Sequence, residues 1–356
     1  MNYKPELDGI RAISILLVII SHAGFGHIIP GGLGVTIFFF VSGYLITSLL
    51  LAEADANKHI DLYRFYMRRF WRLLPPLIFF ICIAITTVLF VNHHIKLAEI
   101  FSAFFYYANY YKIFIHYDAL NSYPSPFNIL WSLAIEEHFY ILYAPLLAYT
   151  FSTGRFIKVV VIMTILPLCI RLLSVQLYPD LLVDGGYNYS ATETRIDSIA
   201  MGCLLAVLFH TKNIYEKFKS FILNDRIVYA GLTVLLMTLL YRSLYFRETF
   251  RYSIQNVVFF MLVANLLFSS SPVMKRVRAI FSTPVMTHLG RLSYSLYLFH
   301  WLAIIYVDLL VGGDMKLTLK WQLCYWLATI VMSYVSYLLI EGRTKRYRLM
   351  FGSNVK

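Results

Sequence analysis

A histidine at position 22 closes the apolar run that follows Arg11, and adjacent carboxylates at Glu136 and Glu137 interrupt a second apolar run. Ionisable side chains are costly inside apolar segments and mark functional sites there. A histidine titrates near neutrality, and a carboxylate at hydrogen-bond distance fixes its tautomer and steadies its cation. The pattern points to His22 as a general base, with Glu136 or Glu137 as its orienter. Arg171, Arg195 and Asp197 also lie in apolar surroundings and extend this polar group. The bland alternative is that the glutamates pair with Arg171 or Arg195 only to hold helices together.

A second constellation is basic. Arg68, Arg69 and Arg72 stand in the run from Tyr66 to Pro75, with Arg69 and Arg72 spaced i, i+3 on one helix face. Arginines clamp phosphates bidentately, so the cluster suits a polyanionic cytosolic ligand. Its interleaved aromatic residues suit a helix lying in the membrane interface, and plain membrane anchoring is the alternative. His300 follows Ser293, Tyr294, Ser295 and Tyr297, whose hydroxyls either line a cavity or bond helix to helix. His93-His94 lacks further ligand spacing, so no metal site is expected. Cys82, Cys169, Cys203 and Cys324 read as small core residues. Gly31-Gly32-Leu33-Gly34 is not followed by Lys-Ser/Thr, so it is no phosphate loop and reads as a tight outer turn.

The elements that position these groups follow from composition. The 356 residues are 59% hydrophobic and 14% charged, against roughly 25% charged in a soluble domain. Spans of about 20 apolar residues cross a bilayer. Ten segments qualify: 9–26, 33–52, 74–92, 129–150, 156–176, 194–210, 227–245, 253–271, 292–311 and 320–340. Segment 97–115 carries Lys96, Glu99 and Lys112 at or near it and reads as interfacial or re-entrant. The expectation is an all-α, polytopic membrane bundle forming one domain over 1–356, with an uncleaved first helix. With the N-terminus inside, 22 of the 31 Lys and Arg fall in inner segments and 7 in outer ones. Both termini are therefore expected in the cytoplasm. One outer loop, with Arg242, Arg247 and Arg251, dissents. The net charge of +12 belongs to this asymmetry and not to nucleic-acid binding. By helix rise, His22 and the glutamate pair lie at matching depth in the outer half, and His22 lies roughly 20 Å from the inner face.

These residues fall into motifs. Leu7-Asp8-Gly9-Ile10-Arg11-Ala12 leads to His22. Gly31-Gly32 leads to Phe39-Phe40-Val41-Ser42-Gly43-Tyr44-Leu45-Ile46. Tyr66 to Pro76 holds an Arg-x-x-Arg element. Trp131-Ser132-Leu133-Ala134-Ile135-Glu136-Glu137-His138-Phe139-Tyr140, Arg195-Ile196-Asp197 and Ser293 to His300 complete the set. The sequence resembles the membrane acyltransferase 3 family over nearly its whole length. His138 departs from the family's usual glutamine. The SGNH hydrolase-like domain that many members carry C-terminally is not seen, which reads as a stand-alone membrane form. The resemblance implies an O-acyltransferase of a bacterial inner membrane that moves acetyl from cytosolic acetyl-CoA to a hydroxyl of an extracytoplasmic glycan. His22, Glu136 and Glu137 would be catalytic. Arg11, Arg68, Arg69, Arg72 and His300 would hold the donor. Arg171, Arg195, Asp197 and Trp131 would meet the acceptor. Capsule, peptidoglycan, periplasmic glucan and O-antigen are candidate acceptors, with a lipopolysaccharide or lipid-linked O-antigen glycan preferred, and membrane lipid surrounds the bundle. A transporter or flippase of a lipid-linked sugar is the rival reading. It predicts an inverted repeat, which the sequence does not show.

Overall fold

The computed structural model describes residues 3–90, 96–115, 125–152, 155–181, 183, 186–211, 216 and 219–352. The expected pair His93-His94, with Asp184, Lys212, Lys217 and Lys356 from the charge reading, lies outside them. The described residues form helices and loops with no strand. In chain order the helices are α1 (Pro5–Ile20), α2 (Gly31–Asn57), α3 (Leu62–Phe90), α4 (Leu97–Phe104) and α5 (Ala108–Ile115). Then come α6 (Trp131–Ser152), α7 (Phe156–Leu177), α8 (Thr192–His210), α9 (Asp225–Leu240) and α10 (Phe250–Phe268). The series closes with α11 (Pro272–Phe281), α12 (Pro284–Val311), α13 (Leu319–Ser336) and α14 (Gly342–Met350), and two further short helices, Tyr187–Ser190 and Leu244–Glu248, lie in the connections.

Among the described residues, seven helices are long and apolar enough to cross a membrane, by length and composition. The other three expected spans are α6, α8 and α9. The first carries Glu136 and Glu137, the second Glu193, Arg195 and Asp197, and the third has 16 residues. Segment 97–115 forms the two short helices α4 and α5.

Sequence signals set many ends. Pro5, Pro272 and Pro284 open α1, α11 and α12, where a missing N–H costs nothing. Asn224 caps α9 by accepting from Arg226 N, and Thr318 caps α13 by accepting from Trp321 N. Other expectations are corrected. The span expected over 74–92 begins earlier: Pro75 and Pro76 lie inside α3, so the Arg68–Arg72 run is the N-terminal part of that long apolar helix and not a separate one. Prolines are tolerated within membrane helices because neighbouring groups re-satisfy the backbone. Gly31-Gly32-Leu33-Gly34 is the first turn of α2 and not a turn between helices. Cys82 and Cys169 are exposed, and among the four cysteines only Cys203 is buried in the core.

Close helix crossings replace the hydrophobic drive that lipid cannot supply. At the crossing of α2 and α8, a Cβ on Gly43 would lie 2.0 Å from the Ile199 carbonyl oxygen. One on Gly202 would lie 1.9 Å from that of Phe40. α1 meets α12 in the same way: a Cβ on Gly290 would sit 1.9 Å from the Asp8 carbonyl oxygen. That approach lays the two histidine-bearing helices side by side.

Candidate active site

α1 continues into a π-turn, Ser21–Phe25, which carries His22 and ends in a kink where Gly24 adopts φ 103°. Such turns recur at functional sites because they re-aim side chains. Here the turn points His22 at α12. Its Nδ1 lies 2.9 Å from Nε2 of His300, with an interplanar angle of 0°. Trp301 packs edge-on against the His22 ring. The Nδ1 of His300 lies 2.7 Å from the Tyr297 carbonyl and 3.1 Å from that of Leu296. Carbonyls only accept, so Nδ1 of His300 bears the proton and its Nε2 is the acceptor. With both rings neutral, His22 then donates from Nδ1 and keeps the lone pair on Nε2. His22 is thus held in one tautomer with a basic nitrogen free.

This corrects the expected pairing. Glu136 and Glu137 do not orient His22; His300, assigned from sequence to the donor, does. The glutamates belong to the arginines. Arg69 Nη2 lies 2.6 Å from Glu137 Oε1, and its guanidinium sits 3.6 Å from the Tyr140 ring centroid. Ser42 donates to Glu136 at 3.4 Å and also contacts the Tyr140 hydroxyl.

Two adjoining cavities organise the arginines. An inner one of about 190 Å³ is lined by Arg11, Arg69, Arg72, Glu136, Ser132 and Tyr297, with apolar walls from α2. A wider one of about 410 Å³ is lined by Arg11, Arg72, Arg291, Lys345 and Arg348, against Asp8 and Glu341. Arg11, Arg72 and Tyr294 line both, so the wide basic mouth leads into the narrow cavity. Arg11 also donates to Ser293 Oγ at 2.9 Å. A second π-turn, Tyr337–Glu341, places Glu341 at this mouth, where it accepts from Ser295 at 2.5 Å. Arg68 is turned away: it pairs with buried Glu53 at 2.9 Å and donates to the Phe351 carbonyl. Sequence reasoning missed Arg291, Lys345 and Arg348 as site residues. Their only signal was the basic excess, which reads equally well as topology.

Tyr297 separates the cavity from the histidines. Its hydroxyl lies 2.6 Å from Ser132 Oγ and donates to the Ile129 carbonyl at 2.6 Å, while its ring centroid is 5.7 Å from that of His300. Of the hydroxyls, Ser293, Tyr294 and Tyr297 line the cavity, whereas Ser295 bonds helix to helix through Ser336.

The presumed acceptor residues do not gather at His22. Arg171 and Asp197 form a fully buried ion pair at 2.8 Å, and Arg171 also donates to the Thr249 carbonyl and Ser253. Arg195 stands apart, donating to Thr36 at 3.0 Å and lying 4.0 Å from the Tyr252 ring centroid. Trp131 is buried against Tyr189 and Phe39. His138 contacts Thr192 Oγ1 at 2.8 Å.

A family model described as an acyltransferase domain matches residues 4–341. The chain belongs to the membrane acyltransferase 3 family. It is 33% identical over 353 residues to the O-acetyltransferase OatA of Staphylococcus aureus strain NCTC 8325, covering 96% of this chain and 57% of that protein. It is 32% identical over 321 residues to the putative O-acetyltransferase SAS0844 of strain MSSA476, covering 86% of this chain and 52% of that one. The chain thus spans little more than half the length of these relatives. No solved structure matches it. In this chain Arg11 lies on α1 at the basic mouth, and His22 lies in the π-turn that follows the far end of that helix.

Proposed function

We propose that this acyltransferase 3 member is an O-acetyltransferase that takes acetyl from cytosolic acetyl-CoA and delivers it to a hydroxyl of an extracytoplasmic glycan. The observation that carries the reading is the basic mouth opening into a cavity that ends at Tyr297, whose ring centroid lies 5.7 Å from that of His300. Arg11 and His22 are about 16 Å apart along the helix axis, a span an extended pantetheine arm can cover. Arg11, Arg72, Arg291, Lys345 and Arg348 supply the charge that CoA phosphates require.

In the proposed reaction, Nε2 of His22 takes the proton of the acceptor hydroxyl. The oxygen attacks the thioester carbonyl, the C–O bond forms as the C–S bond breaks, and the thiolate leaves with the proton from His22. His300 holds the tautomer that makes this possible. The acceptor enters from the face opposite the arginines. A bacterial plasma membrane with cytoplasmic termini gives this polarity, and an active alkaline phosphatase fused at the C-terminus would reverse it.

Purified protein in detergent, given acetyl-CoA and a surface glycan, should release CoA and yield an acetylated glycan by mass spectrometry. Lipopolysaccharide O-antigen is the acceptor to try first, with peptidoglycan fragments and neutral glucan in parallel. Glycan movement across a vesicle without acetylation would favour the flippase reading.

A further inference from the structure

The end of the bundle away from the basic mouth holds a larger cavity, of about 540 Å³. Ser21, beside His22 in the π-turn, lines it, as do Gly31 and Gly32 at the start of α2. So do Arg242, Arg247 and Arg251, the arginines that broke the charge asymmetry of the sequence. Exposed outer loops of membrane proteins are poor in arginine, yet these converge on one concave surface.

The hydrogen bonds of two of them leave their charge in place. Arg242 donates to the His27 carbonyl at 3.4 Å, and Arg251 to the Tyr252 hydroxyl at 3.4 Å; both acceptors are neutral. No carboxylate lines the cavity among the described residues, and the nearby Glu248 is fully buried. Behind the wall formed by Tyr252 stands Arg195, also fully buried, whose Nε and Nη1 have no hydrogen-bond partner among the described residues. The 27-residue α2 begins at the cavity, so the partial positive charge of its first turn adds to the same field.

We infer that this cavity binds a phosphoryl group carried by the acceptor, so that the substrate is an anionic, phosphate- or diphosphate-linked glycan held beside His22. Guanidinium forks match phosphoryl oxygens bidentately, and the volume lies within the range of small-ligand sites. The inference rests on the acetyl-transfer reading for its substrate, but the binding event stands by itself.

Inorganic pyrophosphate is the probe. The full chain is placed in phosphatidylcholine nanodiscs with saturating CoA to fill the other basic mouth, and binding is followed by calorimetry. The parent should bind pyrophosphate with an affinity that falls as salt rises. Arg242→Gln/Arg251→Gln should bind it at least tenfold more weakly while binding acetyl-CoA as the parent does. Equal affinity in parent and variant, or no binding in the parent, would overturn the site. Replacing phosphatidylcholine with phosphatidylglycerol should leave pyrophosphate affinity unchanged. Loss of it there would make a bilayer headgroup the occupant and overturn the acceptor assignment. Arginine-dependent pyrophosphate binding by a protein that acetylates no glycan would support the site and count against acetyl transfer.

Discussion

The Nδ1 of His22 and the Nε2 of His300 lie 2.9 Å apart across the α1–α12 contact, and the backbone carbonyls behind His300 fix which of the two rings donates. The group that orients His22 is thus a second histidine and not a carboxylate. In a site walled by apolar residues this arrangement avoids burying an unpaired negative charge.

Replacing the base should remove catalysis without removing the donor. His22→Gln is expected to lower acetyl transfer by about 10²–10⁴-fold, the usual contribution of a positioned base. His300→Leu should lower kcat at least tenfold by freeing the His22 tautomer. His300→Gln, which keeps an acceptor for Nδ1–H, should lose less. Acetyl-CoA binding should be unchanged in all three. Near-parental turnover of His22→Gln would remove it as the base.

The arginines of α3 should separate by what they touch. Arg72→Ala is expected to weaken acetyl-CoA binding about 10–100-fold, the equivalent of lost charge-assisted hydrogen bonds. Arg68→Ala should leave that affinity near parental but lower the thermal midpoint, because it strands Glu53, which is 1% exposed. Calorimetry and thermal unfolding of the two variants check this. Parental binding by a folded Arg72→Ala protein would reduce the cluster to membrane anchoring.

Tyr297 should act as a barrier between donor cavity and base. Tyr297→Phe removes its bonds to Ser132 and the Ile129 carbonyl. Acetyl-CoA hydrolysis without acceptor is expected to rise severalfold, with donor affinity unchanged. A hydrolysis rate equal to the parent's would show that the hydroxyl closes nothing.

Arg171 and Asp197 should matter first for the fold. Asp197→Leu leaves a fully buried guanidinium without its carboxylate, at a cost of roughly 3–5 kcal/mol. The unfolding midpoint should drop clearly. If instead the variant kept its midpoint and only the acceptor KM rose, the residues would contact substrate as the sequence suggested.

Glu136 and Glu137 show where sequence reading stopped. Being adjacent, they point about 100° apart around a helix, so one faces the cavity and the other faces Arg69. Counting residues along each helix set His22 level with them. The structure instead places Glu136 in the cavity of Arg11 and Arg72 and Glu137 against Arg69, while His22 meets His300, because a residue count along one helix does not fix how two helices are offset along their axes.

By itself, the sequence determined an all-helical membrane bundle, the family, and the residue types of the candidate site: a histidine at the end of the first apolar run, an arginine cluster on α3, and carboxylates in α6. Those follow from local runs and periodicity, which each helix carries alone. Only the tertiary structure decided partners: His300 for His22, Glu137 for Arg69, Glu53 for Arg68, and the gathering of Arg242, Arg247 and Arg251 at one cavity. Partners depend on which helices touch and how each is rotated about its axis. Close approaches such as that of Gly290 to the Asp8 carbonyl set both, and they join residues far apart in the chain.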